Sequence, residues 1–342
     1  MGVENMRIAV DAFGGDNAPF EIIKGSVMAV NKFDLEVILV GDEETITSLL
    51  EKEEYPKDKI KIKHASEVVE NEDSATLSVR RKKDSSMVVA LNLVKEGEAD
   101  AVVSAGNTGA YLTAAFMVLG RIDGIKRPAL APCMPNKNGM SVIIDSGANV
   151  DCKPEYLVQF AHMGSIYSEN VLKVKSPKVA LVNIGVEEKK GNSLVKEAYA
   201  LLKEEKGLNF TGNIEAREVP SGAADVIVCD GFSGNIVIKL IEGVAITLFD
   251  MLKDVFYKSI ITKLAAAILK PGLKEVKKSM DASEYGGAPL LGVNGPVIKA
   301  HGNSDAKSIH NAIKAAMLFA ETKVNDKIRE IIASSDDDKI EE

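Results

Sequence analysis

The sequence has no tryptophan, and only 5% of its 342 residues are aromatic. Its three cysteines, Cys133, Cys152 and Cys229, lie far apart and form no C-x-x-C pair. That spacing excludes a disulfide framework and a zinc ribbon, and it suits a reduced, cytoplasmic setting. The four histidines show no H-E-x-x-H spacing, and His301 and His310 do not share a helical face. No metal site is expected. A basic surplus is also missing: the formal net charge of −8 argues against a nucleic-acid partner. No apolar run reaches the roughly 18 residues that a membrane-spanning helix needs. The opening MGVENMRIAVDAFGGD enters a strand-like run without a charged-then-apolar leader, so no signal peptide is expected.

The common phosphate and hydrolase signatures are absent as well. There is no G-x-x-x-x-G-K-[ST] run, and the first strand is followed by adjacent glycines, not by G-x-G-x-x-G. Neither a triphosphate P-loop nor a dinucleotide fingerprint is supported. G-x-S-x-G is missing too, which removes the usual serine-hydrolase elbow.

What is present is a core-forming composition, with 46% hydrophobic and 27% charged residues. Short β-branched runs alternate with longer helical ones. Strands are expected at Arg7–Asp11, Glu36–Val40, Lys59–Lys63, Asp100–Ser104, Met140–Asp145, Lys178–Asn183 and Asp225–Asp230. Helices are expected at Pro19–Lys32, Glu43–Lys52, Ser85–Glu96, Thr108–Leu119, Pro154–Ser168, Ser193–Lys206 and Asn311–Ile332. Strands such as AVVSAG, VALVNIG and VIVCDG are apolar throughout, as in a parallel sheet buried on both faces. The pattern predicts a doubly wound α/β/α sandwich with a mostly parallel sheet. Residues 1–334 read as one large unit, and 335–342 as a frayed acidic tail.

Ligands in such folds sit beyond the carboxyl ends of the strands. Those ends read DAFGGD (Asp11–Asp16), SAGNTGA (Ser104–Ala110), DSGAN (Asp145–Asn149), NIGVEEKKGN (Asn183–Asn192) and DGFSGN (Asp230–Asn235). Two segments look alike: ADAVVSAGNTGAYLTAAFMVL from Ala99 and ADVIVCDGFSGNIVIKLIEGV from Ala224. Internal duplication and the shared grammar of βα units both account for this.

Glycine lets a backbone approach a ligand closely, and free N–H groups at a helix start point at an anion. Gly106, Asn107, Thr108 and Gly109 fit this use, as do Gly231, Gly234 and Asn235. Each loop taken alone equally suits N-capping; together they favour an anion. Lys190, in the run EEKKGN, reads either as part of a solvated turn or as a cation that neutralises phosphate or a developing oxyanion.

The ordered set DAFGGD, SAGNTGA, DSGAN, N-I-G-x-E-x-x-K-G-N, DGFSGN, YGGAPLLG and KAHGNSD resembles the bacterial phosphate acyltransferases of phospholipid synthesis. It runs from Arg7 to about Asp305. One departure is Phe13, where that family more often has Met. The resemblance implies a fold of the isocitrate dehydrogenase/phosphotransacetylase type. It implies transfer of a fatty acyl group from acyl carrier protein to inorganic phosphate, giving acyl phosphate for a downstream acyltransferase, without cofactor. Lys190 is then expected to bind phosphate and stabilise charge, and Asp230 to orient Lys190 or handle a proton. Asp11, Gly14, Gly15, Asp16, Asn149, His301 and Ser304 are further candidates at the same rim. A coenzyme A-dependent phosphotransacetylase, a dehydrogenase of the same fold and a non-catalytic phosphate- and membrane-binding regulator are the alternatives.

Residues 248–280 carry an apolar stripe, Leu252, Phe256, Ile260, Leu264 and Ile268, beside seven lysines between Lys253 and Lys278 against Asp254 and Glu275. Packing on a second subunit, contact with an anionic membrane surface and docking of the acidic carrier protein all fit. The resemblance implies a homodimer and, in some members, reversible membrane association through this region. Arg80, Arg81, Lys82 and Lys83 form either a solvated basic loop or an approach surface for the carrier protein.

Overall fold

The computed structural model describes residues 6–70, 72–279, 284 and 286–337. The start MGVEN, Tyr285 of the YGGAPLLG motif and residues 338–342 of the acidic tail lie outside the described residues. The chain forms β1 (Met6–Asp11), α1 (Phe20–Val30), β2 (Leu35–Gly41), α2 (Glu43–Leu50), β3 (Ile60–His64), α3 (Ala75–Arg81), α4 (Ser86–Lys95), β4 (Ala101–Ser104) and α5 (Thr108–Leu119). It continues through β5 (Ala129–Leu130), β6 (Cys133–Asn136), β7 (Gly139–Ile144), α6 (Pro154–Asn170), β8 (Lys178–Asn183), α7 (Ser193–Glu204), β9 (Asn209–Glu215) and β10 (Val226–Val228). Last come α8 (Gly231–Tyr257), α9 (Ile260–Ser279), β11 (Ala288–Leu291), β12 (Val297–Lys299), α10 (Ala306–Glu321) and α11 (Val324–Asp337).

The strands make two sheets. One has the order β3-β2-β1-β4-β12-β11-β5, the other β6-β7-β10-β8-β9. The first is parallel from β3 to β12, with β11 antiparallel to both its neighbours. In the second only β6 runs antiparallel. The mostly parallel doubly wound architecture expected from the apolar strands is present, divided between two sheets.

Burial on both faces explains the continuous apolar strands. On β1, Ile8 and Val10 join α1 and α10 residues such as Ile23 and Ile313, while Ala9 faces Leu91 of α4 and Ala114 of α5. The first cluster also takes in Val142 and Ile144 of β7 and Phe160 of α6, so one buried core runs through both sheets.

Several expectations need correction. The helix read as Asn311–Ile332 is two helices, because Lys323 adopts a left-handed backbone (φ 62° at Lys173, 47° at Ser176 and 51° at Lys323 are the positive values outside glycine among the described residues). Its start moves back to Ala306, where Asp305 caps the Ser308 amide. Strands β5, β6, β9, β11 and β12 and helix α3 escape the sequence pattern. The stripe at 248–280 spans two helices. It breaks between α8 and α9, where Ser259 and Thr262 exchange side-chain-to-amide hydrogen bonds in a capping box.

Candidate active site

The carboxyl end of the first sheet gathers three of the predicted motifs, because β1, β4 and β12 are adjacent and parallel. Val10 pairs with Val103, which brings the next residues, Asp11 and Ser104, side by side. Ser104 pairs in turn with Lys299. An acid, a hydroxyl and an ammonium therefore stand in one row across three strands, all buried. Ser104 Oγ donates to Asp11 Oδ2 at 2.7 Å and accepts from the Gly106 amide at 3.0 Å. Lys299 Nζ donates to the carbonyl of Ala105 at 3.3 Å and to that of Ala300.

Electrostatics in this row follow from burial. Desolvation pushes the Asp11 carboxyl above its ordinary value, against hydrogen bonds from Ser86 and Ser104. Desolvation lowers Lys299 to about 8, while Asp11 and Asp16 act in the opposite direction.

The glycines here are required by contact. A Cβ on Gly14 would lie 2.3 Å from Asp11 Oδ2 and 2.8 Å from the Gly106 nitrogen. Gly15 takes φ +108° and packs on Ala105, and the Asp16 amide donates to Gly302 O at 2.8 Å. Ser304 is buried and its hydroxyl donates to the carbonyl of His301, whose own side chain is exposed. So Asp11, Gly14, Gly15, Asp16, Gly106, His301 and Ser304 come together at one edge. Asn107 caps α5 by accepting from the Ala110 amide at 2.9 Å. Thr108 and Gly109 open that helix, and their amides have no carbonyl one turn earlier to receive them.

The second sheet brings Asn149, Asp230, Gly231, Gly234 and Asn235 together around Asp145. Its carboxylate accepts from the amides of Leu130, Gly147, Ala148 and Asn149 at 2.6–3.2 Å and from Asn149 Nδ2 at 3.0 Å. The protein's own carboxylate thus occupies this nest of amides. Gly231 donates to Asn149 O at 2.8 Å, and Asn235 Nδ2 donates to Ser146 O at 3.1 Å.

Lys190 is exposed on the loop after β8, and Asn183 holds the loop by donating to the Lys190 carbonyl at 3.1 Å. Leu181 pairs with Val228, so the Asn183 and Asp230 loops leave adjacent strands at the same level. Asp230 caps α8, accepting from the Ser233 amide at 2.8 Å and the Ser233 hydroxyl at 2.9 Å. Among the described residues no ion pair joins Lys190 to Asp230. Lys299, Ser104 and Asp145 were not singled out by sequence reasoning. Each opens a motif quoted above, SAGNTGA, DSGAN or KAHGNSD, but Lys299 ends a three-residue strand with no local signal of burial.

A family model described as "Fatty acid synthesis protein" matches residues 6–327. The chain belongs to this family. It is 56% identical over 336 residues to the phosphate acyltransferase of Alkaliphilus oremlandii, covering 98% of this chain and 100% of that one. It is 51% identical over 334 residues to the phosphate acyltransferase of Thermoanaerobacter pseudethanolicus, covering 97% and 99%. Among solved structures, a phosphotransacetylase from Streptococcus pyogenes superposes with a TM-score of 0.63 at 20% identity over 94% of each chain. A branched-chain phosphotransacylase from Enterococcus faecalis gives 0.57 at 16% identity over 92% of this chain and 99% of that one. At these identities the likeness shows the fold, which is of the phosphotransacetylase type.

Proposed function

We propose that this protein is a phosphate acyltransferase that moves a fatty acyl group from an acyl-carrier-protein thioester to inorganic phosphate. The observation that carries the reading is the near-full-length similarity to phosphate acyltransferases. The predicted loops at the carboxyl ends of parallel strands agree with it.

Phosphate is already a nucleophile at neutral pH, so no side-chain nucleophile is needed. One phosphate oxygen bonds to the thioester carbonyl carbon. The resulting tetrahedral oxyanion collapses with loss of the C–S bond, and sulfur leaves with the electron pair and takes up the proton that the attacking hydrogen phosphate gives up. The enzyme must hold the two reactants in fixed geometry and stabilise the oxyanion. Lys190, exposed on its loop, supplies charge to phosphate and oxyanion. The amides of Thr108 and Gly109 supply further donors. Asp230 orders the start of α8 beside the Lys190 loop.

The α8–α9 hairpin suits a second copy of the chain and an anionic membrane surface. Ile260, Ile261 and Ile268 are 78–80% exposed, and Leu252, Phe256 and Ala266 line a cavity of about 570 Å³ with Lys253, Lys263 and Lys270. Among the described residues no helix is long and apolar enough to cross a membrane. Exposed Arg80, Arg81 and Lys83 are an approach surface for the acidic carrier protein.

Incubation with acyl carrier protein thioester and inorganic phosphate tests the activity. Acyl phosphate should form from the carrier-protein thioester and poorly from the coenzyme A thioester. A preference for coenzyme A moves the protein to the phosphotransacetylase reading. No turnover at any chain length moves it to a binding protein.

A further inference from the structure

Lys299 is a buried cation that the chemistry above leaves unused. It is 7% exposed, and among the described residues no carboxylate pairs with it. Burying an ammonium is expensive unless hydrogen bonds compensate it. A surface lysine would avoid that cost, so the contacts of Lys299 are informative.

One of its two contacts goes to the carbonyl of Ala300, and the other reaches a peptide that Ser104 also holds. The Ala105 carbonyl accepts from Lys299 Nζ, and the Gly106 N–H of the same peptide donates to Ser104 Oγ. Ser104 Oγ is itself fixed by donating to Asp11. Both ends of the Ala105–Gly106 peptide plane are thereby pinned from the row Asp11–Ser104–Lys299. This plane matters because Gly106 is conformationally permissive and leads, through Asn107, into the open amides of Thr108 and Gly109 at the start of α5. On the other side Gly15 packs on Ala105, so the DAFGGD loop rests on the same plane.

We propose that Lys299 is a positioning residue for phosphate: its ammonium locks the Ala105–Gly106 peptide and so holds the first-turn amides of α5 in place for the anion. The proposal rests on the phosphate acyltransferase reading. Preorganised donors bind without reordering, so their release weakens the anion they hold while leaving the thioester partner untouched. The depressed affinity of Lys299 for its proton gives the lock a pH limit, since a neutral amine donates more weakly to a carbonyl.

Steady-state kinetics of Lys299→Met, with phosphate and the carrier-protein thioester varied separately, test this. The expected result is a rise of roughly ten- to hundredfold in KM for phosphate, the equivalent of one charge-assisted hydrogen bond, with KM for the thioester unchanged. A folded Lys299→Met protein with wild-type KM for phosphate overturns the proposal, as does an equal rise in both KM values. If that variant does not fold, Ser104→Ala decides, because it frees the other end of the peptide: an unchanged KM for phosphate overturns the lock. If the wild-type protein makes no acyl phosphate, the functional reading fails, and thermal stabilisation by inorganic phosphate becomes the readout. Loss of that stabilisation in Lys299→Met then supports the lock, and its retention overturns it.

Discussion

Asp11 and Lys299, an acid and a base, flank Ser104 in one buried row, with no hydrogen bond or ion pair between them. Ser104 is the link, bonded to the acid and pinning the peptide whose carbonyl the lysine holds. The row supplies a consequence for stability as well as for ligand binding.

Lys299 titrates near 8 in the folded protein against 10.5 as its ordinary value. Between those limits the unfolded chain binds more protons than the folded one, so stability attributable to Lys299 rises with pH. Below pH 8 it is constant and unfavourable. The wild-type protein should therefore gain up to about 3 kcal/mol on Lys299→Met between pH 8 and 10.5. Chemical denaturation of both proteins across that range measures the difference, and a flat difference would show that the lysine is not desolvated.

Lys190→Ala should lower turnover by about 10²–10³ if the side chain stabilises developing charge. Its side chain is exposed, so the melting temperature should not move. Near-normal turnover removes Lys190 from the chemistry.

Asp230 separates capping from proton transfer. Asp230→Asn keeps an oxygen for the Ser233 amide and should leave stability and the pH–rate profile unchanged if capping is its role. Asp230→Ala loses the cap and should cost about 1 kcal/mol. An altered pH–rate profile in Asp230→Asn would restore the proton-handling role.

Two glycines of α8 should respond with opposite sign. A Cβ on Gly234 would lie 2.0 Å from the Asp145 carbonyl oxygen, so Gly234→Ala must displace backbone and should cost roughly 1–3 kcal/mol or more. Nothing lies within 4 Å of a Cβ on Gly243, and Gly243→Ala should stabilise by about 0.5–1 kcal/mol. Thermal melts of the pair check both signs.

Ile260→Asp combined with Ile261→Asp should abolish pelleting with anionic vesicles and spare turnover in solution. Unchanged pelleting eliminates the membrane role of this hairpin.

Much of the architecture was legible. The helix Thr108–Leu119 is legible because its signals are local: Asn107 caps the start, and Gly120 at φ +74° ends the helix. The central parallel strands were legible because burial on both faces leaves no polar alternation. Strands β11 and β12 were not, since three or four residues carry no period. The turn at Lys323 is hidden because no glycine marks its left-handed backbone, which separates α10, packed on α1, from α11, packed on α6.

The sequence by itself determined the fold class and the family, and it pointed to the strand ends proposed here for a ligand, since these depend on local patterns and ordered motifs. Only the tertiary structure decided how those ends are used. It gave the Asp145 nest to the protein's own carboxylate, committed Asp230 to capping and buried Lys299 beside Ser104. The physical reason is that hydrogen-bond satisfaction and desolvation depend on neighbours brought together by strand order, and strand order is not written in any one segment.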